Sequence, residues 1–207
     1  MTEPDWAALD AAWRPARRAG VLGSATTEAL IAHAAGYLPA ACRVDDEFRG
    51  IDLGTGAGVP GVILAALRPM SRWTLVDANE RRCEYAATAV RALAISARVE
   101  VMHARAEDVA HDAGHRRAYD LVVARSFGPA SELAECALPL MLPEGALVVS
   151  VVNETQARWR VAASTLGLEL DATSGDDGSR YVLVRPPADV PATWPRRAAA
   201  RQRSPLF

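Results

Sequence analysis

The chain has 207 residues, 50% of them hydrophobic, and a formal net charge of −2, so one sizeable core is expected and no global positive field advertises nucleic-acid binding. All 23 basic residues are arginine, which leaves guanidinium groups and backbone amides as the means of holding a phosphate. Cys42, Cys83 and Cys136 form no CxxC pair, and no apolar run nears the roughly 20 residues of a membrane span, so disulfide framework, metal site and membrane insertion are not expected.

Met1 to Ala12 is acidic and lacks a signal-peptide profile, which makes the cytoplasm the expected location. Residues 5 to 40 read as helical, with Trp6, Leu9 and Trp13 near one face. Pro15 and Gly20–Gly23 are expected to interrupt that stretch before Leu30, Ile31 and Ala34 resume it. From Phe48 short apolar runs alternate with amphipathic segments. Strands are expected at Gly50–Leu53, Trp73–Val76, Val99–Met102, Leu121–Ala124 and Ala146–Val152, with helices between them. The clearest helix is Glu80–Leu93, where Cys83, Ala87, Val90 and Ala94 recur near the helical period. Pro69 ends the helix before it, and Pro143-Glu144-Gly145 is expected to turn into the fifth strand. Leu168–Leu170 and Tyr181–Val184 flank a Gly/Asp/Ser loop and read as an antiparallel hairpin. The fold class is therefore α/β: a mostly parallel seven-stranded sheet, helices on both faces, and a C-terminal antiparallel hairpin. The expected division is a helical extension over 1–47, a ligand-binding domain over 48–190 and an Arg-rich tail over 191–207.

The strongest local signal is Asp52-Leu53-Gly54-Thr55-Gly56-Ala57-Gly58-Val59-Pro60-Gly61, a strand running through glycines into a helix. Gly56-x-Gly58-x-x-Gly61 is a literal dinucleotide-binding string, so a nicotinamide-dependent oxidoreductase stands as an alternative. Asp52, inside the strand, favours a cationic ligand such as S-adenosylmethionine, since a carboxylate there repels a pyrophosphate. Asp77 lies 25 residues beyond Asp52, at the end of the next strand, placed to accept from ribose hydroxyls or to cap the helix ahead of Glu80. Arg105-Ala106-Glu107-Asp108 follows the third strand, where a backbone amide and a carboxylate meet an adenine ring; the other reading is an ordinary helix start rich in acids.

The fourth strand ends Ala124-Arg125-Ser126-Phe127-Gly128-Pro129, without the Asp/Asn-Pro-Pro-aromatic motif with which many enzymes of this fold methylate an amine. Guanine N7 needs no deprotonation and fits that gap, leaving in-line positioning as the main catalytic device. With Thr74-Leu-Val-Asp-Ala-Asn-Glu-Arg-Arg82, Arg105-Ala-Glu107 and the tail Trp194-Pro-Arg-Arg197 through Leu206, these strings resemble the bacterial small-subunit ribosomal RNA guanine-N7 methyltransferases. This is also called the glucose-inhibited division protein B family. The resemblance implies a Rossmann-like class I fold, S-adenosyl-L-methionine as cofactor and 16S ribosomal RNA or the small subunit as partner. Gly54, Gly56, Gly58, Val59, Ala106, Glu107 and Arg125 would then hold the cofactor beside Asp52 and Asp77. Arg125 and Arg105 would edge the substrate pocket as the catalytic candidates, while Arg81, Arg82, Arg196 and Arg197 would contact RNA phosphates. His33 is expected to be a packed helix residue, and the protein a monomer.

Departures from the family lie on the substrate side. Val151-Val152-Asn153 replaces the usual lysine-glycine pair after the fifth strand, and Val21-Leu22-Gly23 and His33-Ala-Ala-Gly36 replace the Asn-Leu-Thr and His-x-x-Asp-Ser patterns. A related methyltransferase acting on another RNA or a small metabolite, or a cofactor-binding relative without catalysis, are the alternatives they raise.

Overall fold

Five apolar runs become parallel strands in the computed structural model, which describes residues 3–41 and 47–207, so that Cys42 lies outside the described residues. They are β1 (Arg49–Leu53), β2 (Arg72–Asp77), β3 (Val99–His103), β4 (Tyr119–Ala124) and β5 (Met141–Val151). β6 (Glu169–Ser174) and β7 (Arg180–Arg185) complete a seven-stranded sheet of order β3-β2-β1-β4-β5-β7-β6. Only the β5–β7 and β7–β6 pairings are antiparallel. This is the architecture expected from the sequence.

Helices α4 (Gly61–Leu67), α5 (Glu80–Ala92), α6 (Ala106–His111), α7 (Ala130–Ala137) and α8 (Asn153–Leu166) each follow one of the first five strands. They sandwich the sheet between two cores. On one face α4, α5 and the N-terminal helices α1 (Trp6–Arg18) and α2 (Thr27–Ala35) bury Leu9, Trp13, Ile63, Leu64, Trp73 and Val90. On the other, α6, α7 and α8 bury Val109, Leu133, Ala134 and Trp159, joined by Trp194 from the tail. A four-residue helix α3 (Leu38–Ala41) precedes β1, and α9 (Ala198–Arg203) follows Trp194. No helix among the described residues is long and apolar enough to cross a membrane.

Two expectations need correction. Pro15 does not interrupt the first helix but lies inside α1. Asp5 caps that helix by accepting from the Ala8 amide at 2.9 Å, and Leu9, Trp13 and Ala16 on its buried face pack against α5. Burial of that face outweighs the single backbone bond a proline forfeits. Pro143-Glu144-Gly145 is not a turn ahead of the fifth strand but an irregularity within β5, where the register jumps from Tyr119↔Met141 to Leu121↔Ala146. Gly145 permits it, because a Cβ there would sit 2.9 Å from the Tyr119 carbonyl oxygen.

Strand order reverses between β1 and β4, whose neighbours lead away in opposite directions. In an open α/β sheet the crevice at the carboxyl ends of such a pair is where ligands bind. The loops after β1, β2, β3 and β4 converge there.

Candidate functional site

The glycine loop is tied down by two buried carboxylates. Asp52, fully buried in β1, accepts through Oδ2 from the Thr55 hydroxyl at 2.7 Å and the Gly61 amide at 2.9 Å. Gly61 has to be glycine, since a Cβ would lie 2.8 Å from that same oxygen. Oδ1 of Asp52 is buried with no partner among the described residues. Burial pushes the Asp52 carboxyl up to about 6, against the pull of the Thr55 and Gly61 hydrogen bonds and the Arg125 charge. Asp77, at the end of β2, accepts from the Gly56 amide and from the Asn79 amide, both at 2.9 Å. It is not the cap of α5: Asn79 holds that place, accepting from the Arg82 amide at 3.1 Å. The loop gains a third hold from outside the sheet, where Trp13 Nε1–H donates to the Ala57 carbonyl at 2.8 Å.

Over this loop lies a hollow of about 230 Å³, lined among others by Gly54, Asp77, Arg82, Ala106, Glu107 and Arg201. Gly54, Asp77, Arg105, Ala106 and Glu107, expected separately from sequence, are thus brought onto one wall. Gly56 lies at its rim through Asp77, whereas Asp52, Gly58 and Val59 are buried beneath. Glu107 Oε1 pairs with Arg201, and with Arg105 at 3.3 Å. Burial alone would raise the Glu107 pKa, but its own backbone amide and the two arginines outweigh it and the net shift is downward. Sequence reasoning missed Arg201, which reaches this wall from 94 residues away.

A second, larger hollow of about 620 Å³ opens beside it, lined by His33, the loop after β4, the end of β5, Trp159 and the β6–β7 hairpin. Ser126 and Phe127 line both hollows. Ser126 has φ +55, in the left-handed region. Arg125, half-buried just after β4, lines neither hollow; its charge acts on Asp52, Tyr37 and His33. His33 packs against Tyr37 and Tyr181 and places Nδ1 3.0 Å from Ser179 Oγ; burial and then Arg125 lower its pKa. Buried Tyr37 donates to the Ala124 carbonyl at 3.1 Å, holding the end of β4. Arg180, at the mouth of the larger hollow, donates to Asn153.

The four arginines expected to face RNA are dispersed. Arg82 is exposed and lines the smaller hollow, while Arg81 is exposed on α5 with Nε donating to Tyr85 at 2.9 Å. Arg197 is exposed at the start of α9. Arg196 is engaged internally, with Nε and Nη2 on the two carboxylate oxygens of buried Glu135 at 2.9 and 2.6 Å.

A profile of the family described as GidB, rRNA small subunit methyltransferase G, matches residues 17–166. The chain belongs to that family. It is 36% identical over 180 residues to the ribosomal RNA small subunit methyltransferase G of Symbiobacterium thermophilum, covering 81% of this chain and 73% of the relative. The protein of the same name from Deinococcus radiodurans is 36% identical over 175 residues, covering 80% of this chain and 68% of that relative. Among solved structures, an O-methyltransferase from Bacillus cereus in complex with SAH has a TM-score of 0.66 at 16% identity, covering 87% of this chain and 91% of its own. An rRNA methylase from Streptococcus thermophilus has a TM-score of 0.54 at 15% identity, covering 76% and 92%. At such identities the structural likeness speaks for the class I fold alone.

Membership makes the chain an S-adenosylmethionine-dependent methyltransferase, and the smaller hollow fits that cofactor. Gly54, at φ +71, passes where a Cβ would meet Phe127 at 3.2 Å, so the backbone itself forms the cradle. The unpartnered Asp52 oxygen and the Asp77 carboxylate give that cradle a negative floor suited to ammonium and sulfonium charge and adverse to a pyrophosphate.

Proposed function

We propose that the protein transfers a methyl group to N7 of a guanine in small-subunit ribosomal RNA, acting as a cytoplasmic monomer. S-adenosylmethionine, when bound, supplies an electrophilic methyl group on a sulfonium. Gly54 and Gly56 present backbone to it, Asp77 accepts from its ribose, Ala106 and Glu107 face its adenine, and Asp52 sets the potential beneath. Arg105, on the wall of the cofactor hollow, and Arg125, just before the loop shared by the two hollows, edge the approach of the acceptor. Arg82 and Arg197, both exposed, hold RNA phosphates as bidentate forks, with Arg81 beside them on α5. Arg196 serves the RNA only through the tail it fastens.

One observation carries the choice of acceptor: no carboxylate among the described residues lines the larger hollow. An exocyclic amine or a hydroxyl needs a group to take its proton as it attacks, and the one imidazole on these walls, His33, has Nδ1 engaged with Ser179 and 3.7 Å from Asp177 and keeps Nε2 buried, away from an acceptor in the hollow. Guanine N7 attacks with an in-plane lone pair and needs none. Phe127 offers a flat apolar face against which a base ring can stack, and closure around it removes water from the nucleophile. A second reading, a related methyltransferase acting on another RNA or a small metabolite, is favoured by Val151-Val152-Asn153 standing where the family has lysine-glycine, with Asn153 accepting from Arg180 at the mouth of the hollow.

The test is transfer from methyl-labelled cofactor to small subunits that lack the modification, followed by nucleoside analysis. The expected product is 7-methylguanosine. Label in any other nucleoside overturns the N7 assignment, and label in no RNA removes the RNA substrate altogether.

A further inference from the structure

The C-terminal segment is expected from its sequence to be a basic tail available to RNA, yet its buried groups point inward. Trp194 is buried, its carbonyl accepts from Arg116 at 2.8 Å, and the Pro195 carbonyl lies 2.9 Å from His111 Nε2. Arg196 clamps Glu135 of α7 with both carboxylate oxygens. These latches fix the start of α9, and three residues into that helix Arg201, 4% exposed, lines the smaller hollow. Its guanidinium pairs with Glu107 and lies 3.4 Å from Glu132 Oε1, while Nη1 donates to the Arg196 carbonyl at 2.6 Å.

Stability alone is a poor reason for such an arrangement. A buried ion pair roughly breaks even against an apolar replacement, and here the Arg201 Nε–H is also left buried without an acceptor among the described residues. What the pair does accomplish is local. Glu107 stands in the first turn of α6, and without Arg201 its one counter-ion among the described residues is Arg105, whose side chain is 64% exposed and weakly held.

We propose that Arg201 is a positioning residue for the cofactor: it fixes the Glu107 carboxylate toward the adenine, and so makes the docked C-terminal segment a wall of the cofactor site. The inference rests on the reading of Glu107 as an adenine contact. Docking and cofactor binding are then linked in both directions, because whatever orders the wall favours the ligand and the ligand favours the ordered wall. A positive charge at position 201 is not sufficient for this; the Arg201 fork also ties Glu107 to Glu132 and to the chain's own turn at Arg196.

The experiment is calorimetric titration of the full chain with S-adenosylhomocysteine and with its inosine counterpart, in which an oxo group replaces the 6-amino group. The wild-type protein is expected to prefer the adenosyl compound by about tenfold, the worth of a hydrogen bond to a charged acceptor. Arg201→Met is expected to lose most of that preference, and Arg201→Lys part of it. Equal weakening of both ligands means a merely structural role and overturns the inference, as does an unchanged preference. A wild type that does not distinguish the two compounds removes the Glu107–adenine reading itself, and the inference with it. Should Arg201→Met not fold, hydrogen exchange in the wild type decides. Amides 198–203 are expected to gain protection when S-adenosylhomocysteine binds; unchanged exchange there overturns the linkage.

Discussion

The two hollows at the carboxyl edge of the sheet are built on different plans. The smaller is built on successive loops, those after β1, β2 and β3, and its glycine loop is held from beneath by buried carboxylates: Asp52 through Thr55 and Gly61, Asp77 through Gly56 and Asn79. The larger is gathered from five distant places, from His33 to Arg180, and its polar groups are side chains at its mouth. Pre-organised backbone suits a ligand that is the same in every turnover. Adjustable side chains suit a substrate that arrives as part of a large RNA, and they are where this chain departs from its family.

That contrast can be broken by measurement. The largest effect is expected at neighbouring arginines of the tail. Arg196→Ala leaves the Glu135 carboxylate buried without its cation and should cost about 3 kcal/mol in chemical denaturation. Arg197→Ala, at an exposed position, should change stability by less than about 0.5 kcal/mol while lowering RNA affinity in a salt-dependent way. Equal losses would place Arg196 among the RNA contacts after all.

Asp52 gives an effect of similar size with a defined pH dependence. Its carboxyl titrates near 6 when folded against an ordinary 3.8, so the folded chain holds that proton more tightly. Stability of the cofactor-free protein should therefore rise as pH falls through about 6 toward 3.8, by about 3 kcal/mol from this group. Above pH 6 the full cost of the buried charge is present. Asp52→Asn should abolish that slope while weakening S-adenosylhomocysteine binding at pH 7; a slope retained in the variant assigns it to another group.

Asp77→Ala removes the acceptor for two loop amides and for the ribose, and should weaken S-adenosylhomocysteine by at least about thirtyfold in calorimetry. Arg180→Ala, at the mouth of the other hollow, should leave that affinity unchanged and raise KM for the RNA; a fall in cofactor affinity would mean the hollows are not separate. The smallest effect is expected at Trp13→Phe, which loses one hydrogen bond to the glycine loop, about 1 kcal/mol or fivefold in cofactor affinity.

The cofactor hollow was legible in sequence because its chemistry is local. Asp52, Thr55 and Gly61 satisfy one another across 9 residues, and Asp77 closes the next strand, so glycines and acids in a short string carry the geometry. The fold was legible for a similar reason, since apolar strands and amphipathic helices alternate. What escaped depends on contacts between distant segments. Arg201 meets Glu107 across 94 residues, and Trp13 meets Ala57 across 44, with no spacing rule to suggest either. Arg196 and Arg197 look alike in sequence, and only the burial of Glu135 separates their roles. Pro15 and the Pro143–Gly145 stretch misled because tertiary packing overrode a local breaker signal.

Ser126 belongs to both hollows and is held with a backbone that β-carbon-bearing residues seldom adopt, at a cost of about 1 kcal/mol. The partition between the chambers is thus a loaded spring, kept in shape by Tyr37 pinning the strand end behind it. Asparagine, which tolerates that backbone better, would relieve the tension at this position, and the robustness gained would come at the expense of a fixed gap between donor and acceptor.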